Sequence, residues 1–192
     1  RTLCIAFNPQ NPNTIYAGSA SGGLWRSYSG GKGANAWERV WTGFPVLAVS
    51  SIAISSLDSN LIFIGTGEVY DHRTQGGISG AVRTARGTFG IGILKTTDAG
   101  ETWKKSLDWS YEQKEGVQAV RLNPLNSNTV WAATTKGTYK SVNCGQTWSR
   151  KHSVIMANDI VVNPVDTNTV IVACGNFETN GAGIYRTIDG GQ

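Results

Sequence analysis

Acidic and amide side chains recur at one fixed position of this sequence, and they are the first candidates for chemistry. Asp98, Asn143 and Asp189 each stand two residues after a Ser or Thr and two residues before a Gly. Carboxylates can act as general acids or bind metal ions. Because no second carboxylate or histidine accompanies them at a fixed spacing, the pattern favours a structural role. A short acceptor side chain can hold the exposed N–H groups of a tight turn.

A second group of chemically capable residues lies in the long segment between Gly65 and Gly92. It mixes carboxylates, aromatic rings, guanidinium groups and an imidazole, a combination that suits a sugar or a peptide ligand. Two other long connections, 109–116 and 174–182, add aromatic and acidic residues. The predicted ligand-binding residues are Glu68, Tyr70, Asp71, His72, Arg73, Arg83, Arg86, Trp109, Tyr111 and Glu178. The alternative is that the long segment only packs over a channel mouth or a neighbouring domain.

The elements that must position these residues follow from an internal repeat. Apolar residues alternate with period two before each of four equivalent positions, which predicts a half-buried strand. A second strand follows at a constant offset, and a third reads Gly, two mostly apolar residues, a cation, then Ser or Thr. The equivalent positions are Asn8, Ser55, Asn123 and Asn163, and the recurring cations are Arg26, Lys95, Lys140 and Arg186.

Short strands repeated in this way predict an all-β fold, a β-propeller with four consecutive blades of antiparallel strands. Because propellers of this type typically close with six or more blades, we expect a fragment of a larger propeller and remaining blades in the same polypeptide. The predicted blades span about 1–48, 49–116, 117–156 and 157–192, the last one incomplete. Turns between first and second strands should share one rim with the turns that contain Asp98, Asn143 and Asp189. The long connections should share the opposite rim.

The motif itself has the form Ser/Thr-x-Asp-x-Gly-x-x-Trp and resembles the Asp-box of sialidases, sortilin-type receptors and xyloglucan-degrading glycosidases. The resemblance implies that these residues are structural and lie on the face away from the ligand. The copy at 27–31 lacks the Asp, so we expect a looser turn in the first blade. The predicted structural residues are Thr96, Asp98, Gly100, Trp103, Ser141, Asn143, Gly145, Trp148, Thr187, Asp189 and Gly191.

The order of motifs along the chain is similar to that of secreted bacterial proteins with sortilin-like Asp-box propellers. This resemblance implies a non-catalytic, extracellular scaffold that binds protein or glycan, located in the medium, at the cell surface or in the periplasm. One alternative is a glycoside hydrolase of the sialidase or xyloglucanase type, although the Arg-Ile-Pro segment of sialidases is absent. A second alternative is an assembly factor for a membrane protein complex, like the smaller Asp-box propellers that serve photosynthetic complexes.

Composition excludes several other classes of protein. The net charge is only +4 and the basic residues are scattered, which argues against a nucleic-acid partner. No stretch approaches the ~20 apolar residues that span a bilayer, so membrane insertion is not expected. Cys4, Cys144 and Cys174 have no metal-ligand spacing, and neither a metal nor another cofactor is predicted. We expect them to pack as small apolar side chains, and a disulfide between two of them stays open.

Overall fold

A computed structural model describes residues 1–45, 48–69, 90–111, 115–176 and 179–192. Within these ranges every regular element is a β-strand, and the strands form four separate antiparallel sheets. The all-β propeller architecture predicted from the repeat is confirmed. In the described part of the chain no helix is long and apolar enough to cross a membrane.

Each sheet is one blade, built from strands that follow one another in the sequence. The first blade contains β1 (Thr2–Asn8), β2 (Asn11–Ser19), β3 (Leu24–Ser27) and β4 (Glu38–Val40). The second contains β5 (Val49–Ile54), β6 (Ile62–Thr66), β7 (Gly92–Thr96) and β8 (Lys104–Asp108). The third contains β9 (Val117–Asn123), β10 (Asn126–Thr134), β11 (Gly137–Ser141) and β12 (Ser149–His152). The fourth contains β13 (Ala157–Val162), β14 (Val170–Cys174) and β15 (Gly183–Thr187).

The repeated strand pattern is explained by how the blades stack. The first strands of consecutive blades contact one another, β1 with β5, β5 with β9 and β9 with β13. Two glycines at the ends of second strands allow this approach. A Cβ on Gly18 would lie 2.4 Å from the carbonyl oxygen of Val49, and one on Gly65 would lie 2.8 Å from the side chain of Val117.

Hydrophobic side chains fill the space between neighbouring blades, so the core is divided into three clusters. The first joins blades one and two and includes Tyr16, Leu24 and Trp103. The second joins blades two and three around Phe63 and Ile93, and the third joins blades three and four. No blade therefore buries its apolar faces alone, and each depends on its neighbour for stability.

Candidate functional site

The two rims of the stack differ in the way that the repeat predicts. We call the turns 27–31, 96–100, 141–145 and 187–191 the motif turns, and the rim that carries them the motif rim. In each blade the fourth residue of the motif turn donates its N–H to the backbone carbonyl of an Asn that lies just before the second strand or in its first residues. These four backbone hydrogen bonds are 2.8–3.0 Å long and end on Asn13, Asn60, Asn128 and Asn168.

The hydroxyl group at the first position organises every motif turn. In blade two the N–H groups of Asp98 and Gly100 both donate to Oγ1 of Thr96, at 3.2 and 3.0 Å. Ser27, Ser141 and Thr187 accept the same two hydrogen bonds in the other blades. The sequence showed this Ser or Thr as part of the motif, but reasoning from the acidic residue missed that the hydroxyl is the shared acceptor.

The acidic or amide residue at the third position holds the following segment. The N–H of Thr102 donates to Oδ1 of Asp98 at 2.8 Å, and the hydroxyl of Thr102 donates to Oδ2. These hydrogen bonds favour the ionised carboxylate and lower the pKa of Asp98 to about 2. Asn143 accepts the equivalent N–H from Thr147 at 2.9 Å, so an amide serves as well as a carboxylate.

The first blade keeps the start of its motif turn and changes the end. Ser27 accepts from the N–H of Gly31 at 2.9 Å, as in the other copies. Ser29 stands where the other blades have Asp or Asn, and its hydroxyl donates to the carbonyl of Lys32 at 2.9 Å instead. The hydroxyl of Ser27 already accepts the two N–H groups that close the turn. The turn without the acid therefore differs from the other three in the segment after Gly31.

The motif turns of blades two, three and four also accept a hydrogen bond from the preceding blade. The fourth residue of the turn has a positive φ of 55–70°, which aims its carbonyl away from its own hairpin. Three of the recurring cations each donate to such a carbonyl on the next blade. The pairs are Arg26 with Ala99 (3.1 Å), Lys95 with Cys144 (2.8 Å) and Lys140 with Gly190 (2.6 Å). Arg186 occupies the same position in blade four and is exposed.

Aromatic rings lie under two of these turns. A Cβ on Gly145 would approach the ring of Phe63 to 2.6 Å, and one on Gly191 would approach the ring of Trp131 to 2.7 Å. The fifth position must therefore be glycine both for its positive φ and for this close packing. These contacts give the residues of the motif turns a structural role.

The opposite rim carries the long connections, and we call it the insertion rim. Glu68, the first predicted ligand-binding residue, lies here and is only 4% exposed. Its carboxylate forms an ion pair with the guanidinium group of Arg1, which joins blade two to blade one. Nearby, the side-chain amide of Gln118 in blade three donates to the carbonyl of Val69. Glu68 is therefore engaged in an ion pair between blades one and two.

Trp109 and Tyr111 have different environments although they are close in sequence. Trp109 is 5% exposed and its ring meets that of Tyr139 edge to face, with centroids 5.7 Å apart. It belongs to the core between blades two and three. Tyr111 is 77% exposed, so among the described residues predicted for the site it is the one that offers an aromatic face to a ligand.

An acid outside the predicted set also lies on the insertion rim. Glu115 is 6% exposed and accepts a hydrogen bond from the hydroxyl of Thr135. The ammonium group of Lys136 is 4.0 Å from its carboxylate. No pattern in the sequence indicates this contact, because Glu115 and Thr135 belong to different connections that only the fold brings together.

Seven of the predicted ligand-binding residues lie outside the described residues. They are Tyr70, Asp71, His72, Arg73, Arg83, Arg86 and Glu178. The attachment points of the segment 70–89 are described: a Cβ on Gly67 would lie 2.6 Å from the backbone nitrogen of Gly90. The described residues on either side of it, Gly67 and Gly90, therefore lie close together on the insertion rim, and Val69 beside them is buried.

The described residues contain no group of three or more His, Cys, Asp or Glu side chains that could hold a metal ion. The three cysteines are free thiols. Cys4 donates to the carbonyl of Val49 at 3.5 Å, and burial raises the pKa of its thiol to about 11. Such a thiol stays protonated at neutral pH and is a poor nucleophile.

The described chain also has a cleft of about 260 Å³ on the outer side of the junction between blades three and four. Trp131, His152 and Tyr185 line it together with the fourth motif turn. The rings of His152 and Tyr185 are in contact, with centroids 4.2 Å apart. Of the predicted ligand-binding residues that the structure describes, Glu68, Trp109 and Tyr111, none lines this cleft.

Comparison with solved structures identifies the same architecture in larger propellers. A glycoside hydrolase family 74 (GH74) enzyme from Niastella koreensis aligns with 99% of this chain at a TM-score of 0.69 and 18% identity, over 28% of its own length. YCF48 bound to a D1 peptide aligns with 90% of this chain at a TM-score of 0.55 and 13% identity, over 47% of its own length. The extracellular domain of a two-component system from B. thetaiotaomicron aligns with 97% at 0.61 and 14% identity, over 21% of that chain.

These likenesses establish the propeller fold, because sequence identity at this level carries no more than the fold. The chain spans less than a third of each GH74 enzyme that it matches. The sequence matches no protein-family model. No curated protein matches it either.

Proposed function

We propose that this chain is part of a non-catalytic, extracellular propeller of the Asp-box type that binds a protein or a glycan through its insertion rim. The observation that carries the proposal is the ion pair between Glu68 and Arg1. Glu68 is the one acid of the predicted site that is described, and it is buried in a contact between blades. A general acid or base has to reach its substrate, so this position supports a stabilising role over a catalytic one.

The distribution of regular and irregular connections supports the choice of rim. On the motif rim, hydroxyl, amide and carboxylate groups are engaged in the turns themselves and in contacts with the preceding blade. The insertion rim carries the segment 70–89 and the exposed ring of Tyr111. Binding residues are commonly placed on variable connections of a regular scaffold. An exposed tyrosine suits either a sugar ring or a peptide.

Assignment to the Asp-box type rests on the shared hydrogen bonds of the four motif turns. An extracellular location agrees with one structural neighbour, which is the extracellular domain of a two-component system. Further blades in the same polypeptide agree with the small share of the larger propellers that this chain covers. These neighbours also suggest the first ligands to test.

A glycoside hydrolase is the alternative that the GH74 neighbours favour, and one of these is described as a xyloglucanase. The likeness extends to the fold alone. Of the described acids at this rim, Glu68 and Glu115 are buried, whereas Asp108 at the end of β8 is exposed. An assembly role is the second alternative, since YCF48 was solved with a D1 peptide. Both alternatives use the same rim and predict different outcomes in one set of assays.

The test combines binding and turnover with a pair of matched variants. The purified protein is applied to arrays of plant and bacterial glycans, xyloglucan oligosaccharides included, and of peptides. Binding to a ligand found in this way is then measured for Tyr111→Ala and for Tyr28→Ala. Tyr28 is 57% exposed but lies in a motif turn, on the other rim. We expect Tyr111→Ala to weaken binding about tenfold and Tyr28→Ala to leave it within about twofold.

Three results would contradict the proposal. Hydrolysis of any glycan that Glu68→Gln abolishes without loss of folding would establish the enzyme. Weaker binding in Tyr28→Ala than in Tyr111→Ala would move the ligand to the motif rim. Selective binding of a peptide from one membrane protein, with no other peptide and no glycan bound, would contradict a general extracellular scaffold in favour of the assembly role.

A further inference from the structure

Two cations lie close together at the junction of blades two and three, on the side of the insertion rim. Arg150 is exposed and stands opposite Tyr139 in the pairing of β11 with β12. Lys136 lies in the turn between β10 and β11. Burial lowers the pKa of Lys136, and the positive charge of Arg150 lowers it further. The two charges are therefore near enough to repel each other, and an anion bound beside them would relieve this repulsion.

Three aromatic side chains surround these cations. The ammonium nitrogen of Lys136 lies 5.6 Å from the centre of the Trp109 ring. Trp109 is buried and meets the ring of Tyr139 edge to face. Tyr111 follows two residues later and is 77% exposed. We call Trp109, Tyr111, Lys136, Tyr139 and Arg150 the junction cluster.

Tyr139 lies at the centre of the junction cluster. Burial raises the pKa of its phenol, the charge of Arg150 lowers it, and Glu115 and Tyr111 raise it. The hydroxyl group of Tyr139 is therefore close to both the guanidinium group of Arg150 and the phenol of Tyr111. It forms no hydrogen bond with another described residue, so it can bond to a ligand.

The described acids near the junction cluster do not neutralise it. Glu115 is buried, and its Oε1 lies 4.0 Å from Nζ of Lys136. Asp108 is paired with Lys105 at 3.1 Å. Arg150 forms no ion pair with any residue that the structure describes. The cluster thus offers an exposed aromatic ring, a phenol hydroxyl and an unneutralised guanidinium group on one surface.

We propose that the ligand of the insertion rim is an acidic glycan, a polysaccharide with carboxylate groups on its sugar rings, and that the junction cluster binds one of these sugars. This assignment, which rests on the proposed function, names the class of ligand for the same rim. The apolar face of the sugar ring packs on the exposed ring of Tyr111. Its carboxylate accepts hydrogen bonds from Arg150, and a sugar hydroxyl bonds to the phenol of Tyr139.

The junction cluster suits a sugar better than an acidic peptide. In a uronic acid the carboxylate is attached directly to the ring, so a ring packed on Tyr111 holds its charge and its hydroxyl groups at fixed, short distances. A few polar groups at the edge of an apolar surface match this arrangement. A peptide carries its carboxylates on flexible side chains, and its backbone would have to pair with the open edge of β12. Exposed cations on that strand, Arg150 and Lys151, discourage such pairing.

The test uses two ligands that differ in charge alone. Oligomers of galacturonic acid carry a carboxylate on every ring, and their methyl esters have the same backbone without the charge. Binding of both to the protein is measured by isothermal titration calorimetry at low salt. We expect the free acid to bind at least about tenfold more tightly than the ester, because hydrogen bonds to an ionised group are roughly twice as strong as neutral ones.

Two matched variants assign this difference to the junction cluster. Arg150→Gln should weaken binding of the free acid about tenfold and leave binding of the ester within about twofold. The control is Arg39→Gln, since Arg39 is exposed and stands opposite Trp25 in blade one as Arg150 stands opposite Tyr139 in blade three. It removes the same charge from the protein and should change the affinity by no more than about twofold. Circular dichroism checks that both variants are folded.

Four results would overturn the acidic ligand. They are absence of binding to the free acid, equal affinity for acid and ester, equal losses in Arg150→Gln and Arg39→Gln, and equally tight binding of polyglutamate of the same charge. The third would show that binding follows net charge, and the fourth would favour a peptide. A neutral glycan whose binding is weakened by Tyr111→Ala and not by Arg150→Gln would also overturn it while the proposed function stands. The proposed function fails by a different result, a ligand whose binding does not depend on Tyr111.

Discussion

Replacement of Thr96 by Val tests directly whether a hydroxyl group organises the motif turns. Thr96 is 2% exposed, and its Oγ1 accepts the N–H groups of Asp98 and Gly100 and donates to Oδ1 of Asp98 at 2.6 Å. Valine has almost the same shape, so the packing is retained while the acceptor is lost. The N–H of Gly100 is left buried without an acceptor and that of Asp98 half-buried.

The size of the effect follows from these two donors. An N–H group left buried without a partner costs roughly 1–3 kcal/mol, and a half-buried one costs less. We therefore expect Thr96→Val to lower the free energy of unfolding by about 2–4 kcal/mol, or Tm by roughly 5–15 °C. Thr96→Ser should cost under about 1 kcal/mol, since Ser141 holds the equivalent glycine N–H at 2.8 Å.

The assay is urea unfolding followed by circular dichroism, with Thr97→Val as the control. Thr97 is the next residue in the chain and is exposed. The same chemical change there should shift the free energy of unfolding by no more than about 0.5 kcal/mol. If Thr96→Val and Thr97→Val were equally stable, the hydroxyl would not organise the turn.

Three further substitutions test other contacts of the motif turns. We expect Asp98→Asn to make stability less dependent on pH in acid. The pKa of Asp98 is lowered to about 2, so the stability that its ionised carboxylate contributes is present above about pH 4 and is lost as the pH falls through about 2. Tm measured from pH 5 to pH 2 should therefore fall more steeply in the natural protein than in the variant. Gly145→Ala should cost roughly 3 kcal/mol in urea unfolding, because the added Cβ would lie 2.6 Å from a ring of blade two at a positive φ. Lys95→Met should cost about 1–2 kcal/mol by the same measurement, since Lys95 donates to the carbonyl of Cys144 at 2.8 Å.

Controls for these variants come from the same chain. Gly33→Ala meets a positive φ of 99° but no atom within 4 Å, so it isolates the backbone strain at about 1 kcal/mol. Lys104→Met removes an exposed ammonium group and should be nearly neutral. A Gly145→Ala variant no less stable than Gly33→Ala would contradict the close packing. A neutral Lys95→Met would show that the bond between blades adds nothing to stability.

The fold could be predicted from the sequence because its signals are local and repeated. Alternation with period two, a constant offset to the second strand and a glycine before the third specify the strands of a blade without any knowledge of the neighbours. The motif turn is local in the same way: Thr96 and Gly100 are four residues apart. The sequence predicts Thr96 as a structural residue of the motif, but reasoning from residue types assigned the acceptor role to the carboxylate of Asp98 and not to the hydroxyl of Thr96.

The environment of the candidate site could not be predicted, because it depends on contacts between distant parts of the chain. Glu68 pairs with Arg1, a partner 67 residues away, and no spacing rule connects them. The sequence predicts Trp109 as a ligand-binding residue, but its side chain packs in the core between blades two and three. An aromatic residue after a fourth strand can point into the core or toward solvent, and the sequence pattern does not distinguish the two. The recurring cation was visible in every copy, but only the stacked blades show that Lys95 reaches the next turn.

The hydrogen bond from a cation of one blade to the motif turn of the next bears on how the number of blades can increase in evolution. The third blade contains both partners of this contact. Lys140 on its third strand donates to the next blade, and the carbonyl of Cys144 in its motif turn accepts the hydrogen bond from Lys95 of the preceding blade. A duplicated repeat therefore brings both halves of this contact with it. Gene duplication can lengthen the array in steps of one blade, while the insertions of the opposite rim diverge independently.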